Sequence, residues 1–461
     1  MKKLISIILT IFVSVVAVSC EGVFSERQNT TYDIVATLDT SNHTITGTAS
    51  VDYVYNGESS LTSLVFCLHP NRYNDGGIII NSIIVDDTVI GFSIIDDYYM
   101  EVPLPYELFS GDRVGVEISF CTTIPNGDGI LGYSDIDTRI SGWYPVLAVE
   151  GSDGFITQEG KWGDYLFSEI ADYTVRLTVP SGLVVASSGK RISQTVVSDT
   201  ITYTYRGDNM RDFAFSCSYE YKVVSGVCGG ALISVYAYSE TKAQEGLSYA
   251  QKSLAYYIEK YGPYPYHTYS VCESGLKEGG MEFSGLVYVN STLTGLDYEE
   301  VIAHETAHQW WYGIVGSSPV TNAWLDEGLA EYSTYKYLNS VHGSEYGIQK
   351  VVEKQNAYST LCDIELRLNS RCDIPMTQST ALYRSSYEYV MVTYVKGLLF
   401  FVNLDEITNG RLDIALRDYL KTYTYSISTP EDLRESLSNR LKLNLIGIFD
   451  AWESGKVVFC Y

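Results

Sequence analysis

The sequence predicts an all-β, antiparallel N-terminal domain followed by an α+β domain that ends mostly helical. From Tyr32 to about Lys222, short β-branched and aromatic runs alternate with turn residues. Beyond Ala231–Ser239 (ALISVYAYS) the apolar positions recur at three and four. The first half holds the strand-like runs TYDIVATLD, TITGTASVDYVYN, RVGVEISF, YTVRLTVP and TITYTYRG, punctuated by Asn56-Gly57, Asp75-Gly76-Gly77 and Pro180-Ser181-Gly182. The second begins with the helical stretch KAQEGLSYAQKSLAYYIEKYG, so the boundary falls near 220. Further helices are predicted at 298–312, 322–341, 386–403, 411–422 and 430–441, with strands near 268–273 and 286–289. No repeat of fixed period and no low-complexity tract interrupts this plan.

Composition agrees. The 461 residues are 46% apolar and 19% charged, a globular balance, and 40 Tyr against 11 Pro favours strands over extended linkers. Subtracting 31 basic from 56 acidic residues leaves −25, which excludes a nucleic-acid scaffold or an anionic membrane surface as partner.

The chain starts with Lys2 and Lys3 and an apolar run from Leu4 to Val18, the layout of a secretory signal peptide and too short to span a bilayer. Ala17-Val18-Ser19-Cys20 resembles a bacterial lipobox, with Ala17 where Leu is usual. That resemblance implies export from a bacterial cell and a lipid anchor at Cys20; ordinary signal-peptidase cleavage at the same place is the alternative, and leaves the protein periplasmic or secreted. Of the other eight cysteines, Cys217/Cys228 and Cys362/Cys372 lie close enough in sequence for local bridges. None has C-x-x-C spacing, which argues against a cysteine zinc site.

His304-Glu305-Thr306-Ala307-His308 forms H-E-x-x-H, two imidazoles four positions apart on one helical face, able to ligate one Zn²⁺. Asp297 with Glu300 reads as a capping box and Gly313 as the helix end, which puts both His in interior turns. Glu327 stands nineteen residues after His308, inside WLDEGLAEY at the start of a second helix. Two His and a Glu leave the fourth tetrahedral position to water, the ligand set of a catalytic rather than a structural zinc. Hydrolysis follows, with Glu305 placed to take the water's proton.

HETAHQWWYG, with eighteen residues between His308 and Glu327 of WLDEGLAEY, resembles the aminopeptidase N family of zinc metallopeptidases, the gluzincins. Gly279-Gly280-Met281-Glu282-Phe283 is similar to the family's G-x-M-E-N motif, whose Glu binds the substrate's α-amino group. The resemblance gives that role to Glu282, with Gly279, Gly280 and Met281 lining the substrate, while Phe283 in place of Asn bears on side-chain selectivity. Tyr394-Val395-Lys396-Gly397 matches Y-x-K-G, which makes Tyr394 the hydroxyl that stabilises the oxyanion; Tyr389 is a weaker candidate. Glu331, one turn after Glu327, is a candidate to orient a metal-bound His. The family also draws a second amine-binding residue from its N-terminal domain, for which Asp135 and Asp137 are the candidates. GWYPVL at 142–147 and ADYTV at 171–175 look like that domain.

The resemblance implies a signal peptide at 1–19, a saddle-like β domain at 20–222 and a thermolysin-like metallopeptidase domain at 223–461, without the long C-terminal helical domain of larger relatives. The implied enzyme is an aminopeptidase that binds one Zn²⁺ and removes single residues from peptides with a free N-terminus, touching a membrane only through Cys20. The alternatives are an endopeptidase and a non-catalytic peptide-binding lipoprotein.

Overall fold

The computed structural model describes residues 29–457 apart from 74, 75, 153 and 159. The expected signal peptide, Cys20 and Cys460 lie outside the described residues.

The N-terminal half is built on an eight-stranded sheet, ordered Lys190–Val197, Thr200–Met210, Ala171–Pro180, Thr30–Asp39, Thr44–Val54, Arg113–Thr123, Ile78–Val85 and Thr88–Val89. Its pairs are antiparallel except one: Thr30–Asp39 runs parallel to Ala171–Pro180, with Ile34 opposite Val175. Alternation decides which face is buried. Along Ala171–Pro180, Tyr173, Val175, Leu177 and Val179 point inward, and along Thr30–Asp39 so do Tyr32, Ile34, Ala36 and Leu38. This face shares a core with two four-stranded sheets, and Trp143 sits in it with Phe120 at 6.0 Å and Phe215 at 5.8 Å between ring centroids. The indole N–H donates to Phe213 O at 3.0 Å, so this large side chain buries no unmet donor.

The second half begins with a five-stranded sheet, ordered Lys222–Cys228, Ala231–Ala237, Thr268–Ser274, Leu286–Asn290 and Gly280–Phe283. The two middle pairings are parallel, and helix α1 (Glu240–Tyr261) makes the first crossover, capped by Ser239, whose hydroxyl accepts from Lys242 N–H at 3.2 Å. Helices α2 (Gly295–Ala307), α3 (Trp324–His342) and α4 (Ser344–Asn369) follow. The fold class expected from the sequence is the fold observed.

Three details differ from expectation. Helix α2 ends at Ala307, so His308 is its C-cap and not an interior residue, and it starts after Thr294 without a side-chain cap. Helix α4 went unpredicted because only scattered positions of its 26 residues are buried, among them Tyr358, Leu361 and Cys362, so no continuous apolar stripe marks it. The predicted helix 386–403 is broken by a π-helical turn at Met391–Lys396 between Ser386–Val390 and Gly397–Ile407. Cys217, Cys228, Cys362 and Cys372 are free thiols, so neither expected local bridge forms. Cys217 is buried in a strand of the N-terminal half while Cys228 closes a strand against α1, its thiol on Gln251 O, and Cys362 is buried on α4 while Cys372 is exposed beyond it.

Buried charge joins the halves. Arg211 is 1% exposed, and its guanidinium donates to Tyr312 O, to Ser168 O at 3.0 Å and to Ser426 O at 2.9 Å. Asp137 pairs with Arg139 and accepts from Gly275 N–H at 2.8 Å. Among the described residues no helix is long and apolar enough to cross a membrane.

Candidate active site

Helix α2 presents His304, Glu305 and His308, and the first turn of α3 presents Glu327. His304 Nε2 lies 3.1 Å from Glu327 Oε2 and 3.1 Å from His308 Nε2, and His308 Nε2 lies 3.3 Å from Glu327 Oε2. A tetrahedron with metal–ligand bonds of about 2.0–2.1 Å has edges of about 3.3 Å, so the triangle has the size of one face of such a site. Of the far ring nitrogens, that of His308 is hydrogen-bonded, while that of His304 has only the Glu331 carboxylate nearby. His308 Nδ1 is 3.0 Å from Trp311 O, which leaves Nε2 as the free lone pair, and His304 Nδ1 is 3.5 Å from Glu331 Oε1. Glu331 is itself fixed by Lys354 from α4.

The edge strand Gly280–Phe283 lies along α2. A β-carbon on Gly280 would come within 2.6 Å of the Glu305 carboxyl carbon, so only glycine lets the strand approach this closely. Gln309, one residue past the motif, locks the two together: its amide donates to Phe283 O at 3.1 Å and its carbonyl accepts from Gly285 N–H at 2.9 Å. Ligand atoms of Glu282, Glu305 and His308 consequently lie within 4.8 Å of one another. Alternation sends Phe283 the other way, fully buried with its ring 4.8 Å from that of Tyr288. Met281 is buried, and a β-carbon on Gly279 would meet Val301 of α2 only at ordinary van der Waals distance.

The π turn supplies Tyr394, whose hydroxyl donates to Glu327 Oε1 at 2.5 Å. This turn is brought to α3 by a glycine contact, since a β-carbon on Gly397 would meet Gly328 Cα at 2.9 Å. Lys396 anchors its other side, fully buried, with Nζ on Asp373 Oδ2 at 2.8 Å, Ile374 O at 2.6 Å and Trp452 O at 3.0 Å. Tyr389 packs on Tyr394 with centroids 6.1 Å apart and touches Gly163 from the N-terminal half.

The electrostatics are those of too many carboxylates. Burial pushes Glu305 up to about 7, with the two imidazoles pulling against it, and raises Glu282 well above the carboxylate range. For Glu327, burial is outweighed by its hydrogen bonds to His304 and His308, and its carboxyl falls below the usual range. His308 goes up, burial being overcome by the charges of Glu282 and Glu327. Glu305 Oε2 is buried with no hydrogen-bond partner among the described residues. Such an excess of negative charge, beside three converging lone pairs, fits a divalent cation and a protonated amine.

Two further acids escaped the sequence motifs. Asp164, in a loop of the N-terminal half, accepts from Tyr165 N–H at 2.6 Å and Leu166 N–H at 3.0 Å, is raised by burial to about 6, and acts electrostatically on Glu282, Glu327 and Tyr389. Asp326 is raised by burial to about 7, with the Glu327 charge adding. The two acids expected from the N-terminal half are elsewhere: Asp137 is committed to Arg139 at 2.5 Å and Asp135 is exposed.

Residues 245–452 match the peptidase family M1 domain. Aminopeptidase M1-B of Oryza sativa subsp. japonica is 25% identical over 379 residues, 72% of this chain and 41% of its own length. Aminopeptidase N of Lactobacillus helveticus is 26% identical over 252 residues, 48% of this chain and 28% of its own. The chain thus spans less than half the length of these relatives. The solved M1 zinc metallopeptidase of Deinococcus radiodurans shares the fold with a TM-score of 0.71 at 19% identity, over 94% of this chain and 95% of that one. A mutant of that protein, bound to a Tyr-Ser-Ala substrate, aligns with a TM-score of 0.69. By its matched domain and its relatives the chain is similar to the aminopeptidase N family of zinc metallopeptidases, and it shares the fold of the solved M1 enzyme.

Proposed function

We propose that the protein is a zinc-dependent aminopeptidase that hydrolyses the first peptide bond of peptides with a free N-terminus. One observation carries this: three lone pairs converge within 3.3 Å beside two buried carboxylates, Glu305 and Glu282, that no lysine or arginine neutralises at hydrogen-bond distance among the described residues. His304, His308 and Glu327 would hold the zinc. When bound, it supplies an acidified water and an electrophile for the attacked carbonyl.

The chain's own residues do the rest. Glu282, joined by Asp164 from the facing half, captures the ammonium group by charge-assisted hydrogen bonds, which measures the substrate from its N-terminus. Gly280 leaves the room in which Glu282 and Glu305 stand side by side, and the backbone of Gly279–Met281 lines the scissile residue. Glu305 takes the proton of the attacking water and passes it to the leaving amine, a role favoured by a carboxyl raised to about 7. The Tyr394 hydroxyl, held at Glu327, turns to the developing oxyanion. Glu331, paired with Lys354, places its negative charge 3.5 Å from His304 Nδ1.

Mass spectrometry of one peptide, free and N-acetylated, after incubation with the zinc-loaded protein tests this. Stepwise loss from the free form alone is expected; internal cleavage of both forms would replace the proposal with an endopeptidase. We further propose export through residues 1–19 with lipidation of Cys20, supported by the signal-like and lipobox-like sequence; an acyl mass on the N-terminal peptide of the native protein is the expected result, and an unmodified Cys20 sinks the anchor.

A further inference from the structure

The loop residues Arg371–Ile374 follow helix α4 and take no part in the reaction proposed above. They reach both ends of the π turn that carries Tyr394. Ahead of the turn, Arg371 Nη2 donates to Glu388 Oε1 at 2.6 Å and to Glu365 Oε2 of α4 at 3.0 Å. Glu388 is buried in the helix Ser386–Val390 and also accepts from Arg384 N–H at 2.8 Å. At the far end, Lys396 Nζ donates to Asp373 Oδ2 at 2.8 Å and to Ile374 O at 2.6 Å. One short loop therefore grips the chain at 388 and at 396, on either side of Tyr394.

Asp373 is a junction as well as a counter-ion. Its side chain is fully buried, and besides Lys396 it accepts from the Tyr358 hydroxyl of α4 at 2.6 Å, from Ile374 N–H at 2.8 Å and from Val457 N–H at 3.0 Å. Lys396 Nζ adds Trp452 O at 3.0 Å. Helix α4, the π turn and the last described residues thus meet at one ion pair that is hydrogen-bonded on both sides, the condition under which buried charge holds a fixed geometry.

A π turn carries one residue more than the α-helical turn it replaces. Shedding that residue would rotate Tyr394 against the helix Gly397–Ile407 by about 100°, the angle of one helical residue, and take its hydroxyl off Glu327 Oε1, where it now lies at 2.5 Å. The Gly328–Gly397 contact sets how closely the turn approaches α3, whereas anchors on both flanks set its rotation. We propose that Arg371 and Asp373 are positioning residues for the oxyanion donor: they clamp the π turn at Glu388 and Lys396 and so fix the direction of the Tyr394 hydroxyl. This rests on the aminopeptidase reading, in which Tyr394 acts in the transition state.

A double-mutant cycle against Tyr394→Phe tests it, with the best substrate among alanyl-, leucyl- and arginyl-p-nitroanilide and with kcat counted per zinc-bearing folded molecule. The Arg371 side chain is 31% exposed, so Arg371→Met keeps the fold. It is expected to lower kcat about fivefold to tenfold with KM within about twofold and zinc content unchanged, and Arg371→Lys to restore part of the loss. Asp373→Asn is expected to lower kcat further; because it strips buried Lys396 of its counter-charge, urea unfolding accompanies it, and the Arg371 series decides if it does not fold. In the Tyr394→Phe background either substitution should change kcat by less than about twofold, since the donor that they place is gone. Losses that multiply in the double variants, or a loss confined to KM, would make the loop a scaffold and overturn the clamp alone. A wild-type protein that cleaves none of the three substrates overturns the aminopeptidase reading, and the clamp with it.

Discussion

The Asp137–Arg139 pair of the N-terminal half and the acid cluster of the active site bury charge in opposite ways, the catalytic half having its own buried pair at Lys396 and Asp373. In the N-terminal half, Asp137 and Arg139 are both fully buried and face each other at 2.5 Å, and Arg211 spends its guanidinium on three backbone carbonyls. In the catalytic half, Glu282, Glu305 and Asp326 are all raised by burial, and Glu305 Oε2 has no hydrogen-bond partner among the described residues. Paired buried charge is structural: it fixes where one segment meets another. Crowded buried carboxylate is costly to the fold, and the expense is recovered only when a cation arrives.

Substitution should therefore separate the halves cleanly. Glu305→Gln is expected to reduce kcat by about 10³–10⁴-fold, the scale of a lost general base, while metal content stays at the wild-type level and thermal stability is equal or higher. Retained turnover would break the comparison at its strongest point. Asp137→Ala is expected to do the reverse. It strands the Arg139 guanidinium in the core and frees Gly275 N–H, a loss of about 3–5 kcal/mol in denaturant unfolding, with kcat per folded molecule unchanged. If Asp137→Ala lowered kcat at constant stability, the Asp137–Arg139 pair would do more than hold the fold.

How much of this was legible in the sequence follows from how rigidly each function fixes spacing. His304, Glu305, His308 and Glu327 could be named because two helical turns and a following helix must deliver them at set intervals, and the structure brings them together. Glu282 and Tyr394 were named by motif alone, and their surroundings show what the motif encodes: Gly280 is there for the Glu305 carboxylate, Gly397 for the Gly328 backbone. Asp164 was not legible, because a loop acid reaches the site only through the packing of one half on the other. The candidates Asp135 and Asp137 failed for the same reason. Gln309 escaped because its work is done through two backbone groups, at Phe283 and Gly285, which no side-chain pattern records. Helix α4 was missed since a helix buried at isolated positions has no stripe to read.

Within the catalytic half the comparison sharpens between Glu305 and Tyr394. The Tyr394 hydroxyl belongs to a π turn held by Lys396 and by the Gly328–Gly397 contact, a device that sets one donor in one place. Tyr394→Phe should lower kcat by about 10²–10³-fold with KM little changed, the mark of an interaction made in the transition state. A change confined to KM would move Tyr394 from the oxyanion to substrate binding.

The smallest effect lies at the seam, where Asp212 shares features of both halves. It is hydrogen-bonded, accepting from the Tyr312 hydroxyl and from Ser284 N–H at 3.2 Å, yet burial raises its carboxyl to about 7. A folded-state value above the unfolded 3.8 means that the native protein holds the proton longer than the unfolded chain does. Stability is then greatest below the unfolded value, falls as pH rises from about 4 to about 7, and is flat above, because the unfolded chain is already ionised while the native carboxylate must charge in a buried place. The expected contribution is about 1 kcal/mol per pH unit inside that window, just under the limit of about 1.4 for one proton. Urea unfolding at pH 5 and pH 6 measures it, with Asp212→Asn as the reference that lacks the titration. The difference between the two proteins should shift by about 1 kcal/mol across that unit, wild type losing stability relative to the variant. A constant difference would mean that Tyr312 and Ser284 fully stabilise the Asp212 charge, which would put the seam with the paired ions of the N-terminal half rather than with the crowded acids of the site.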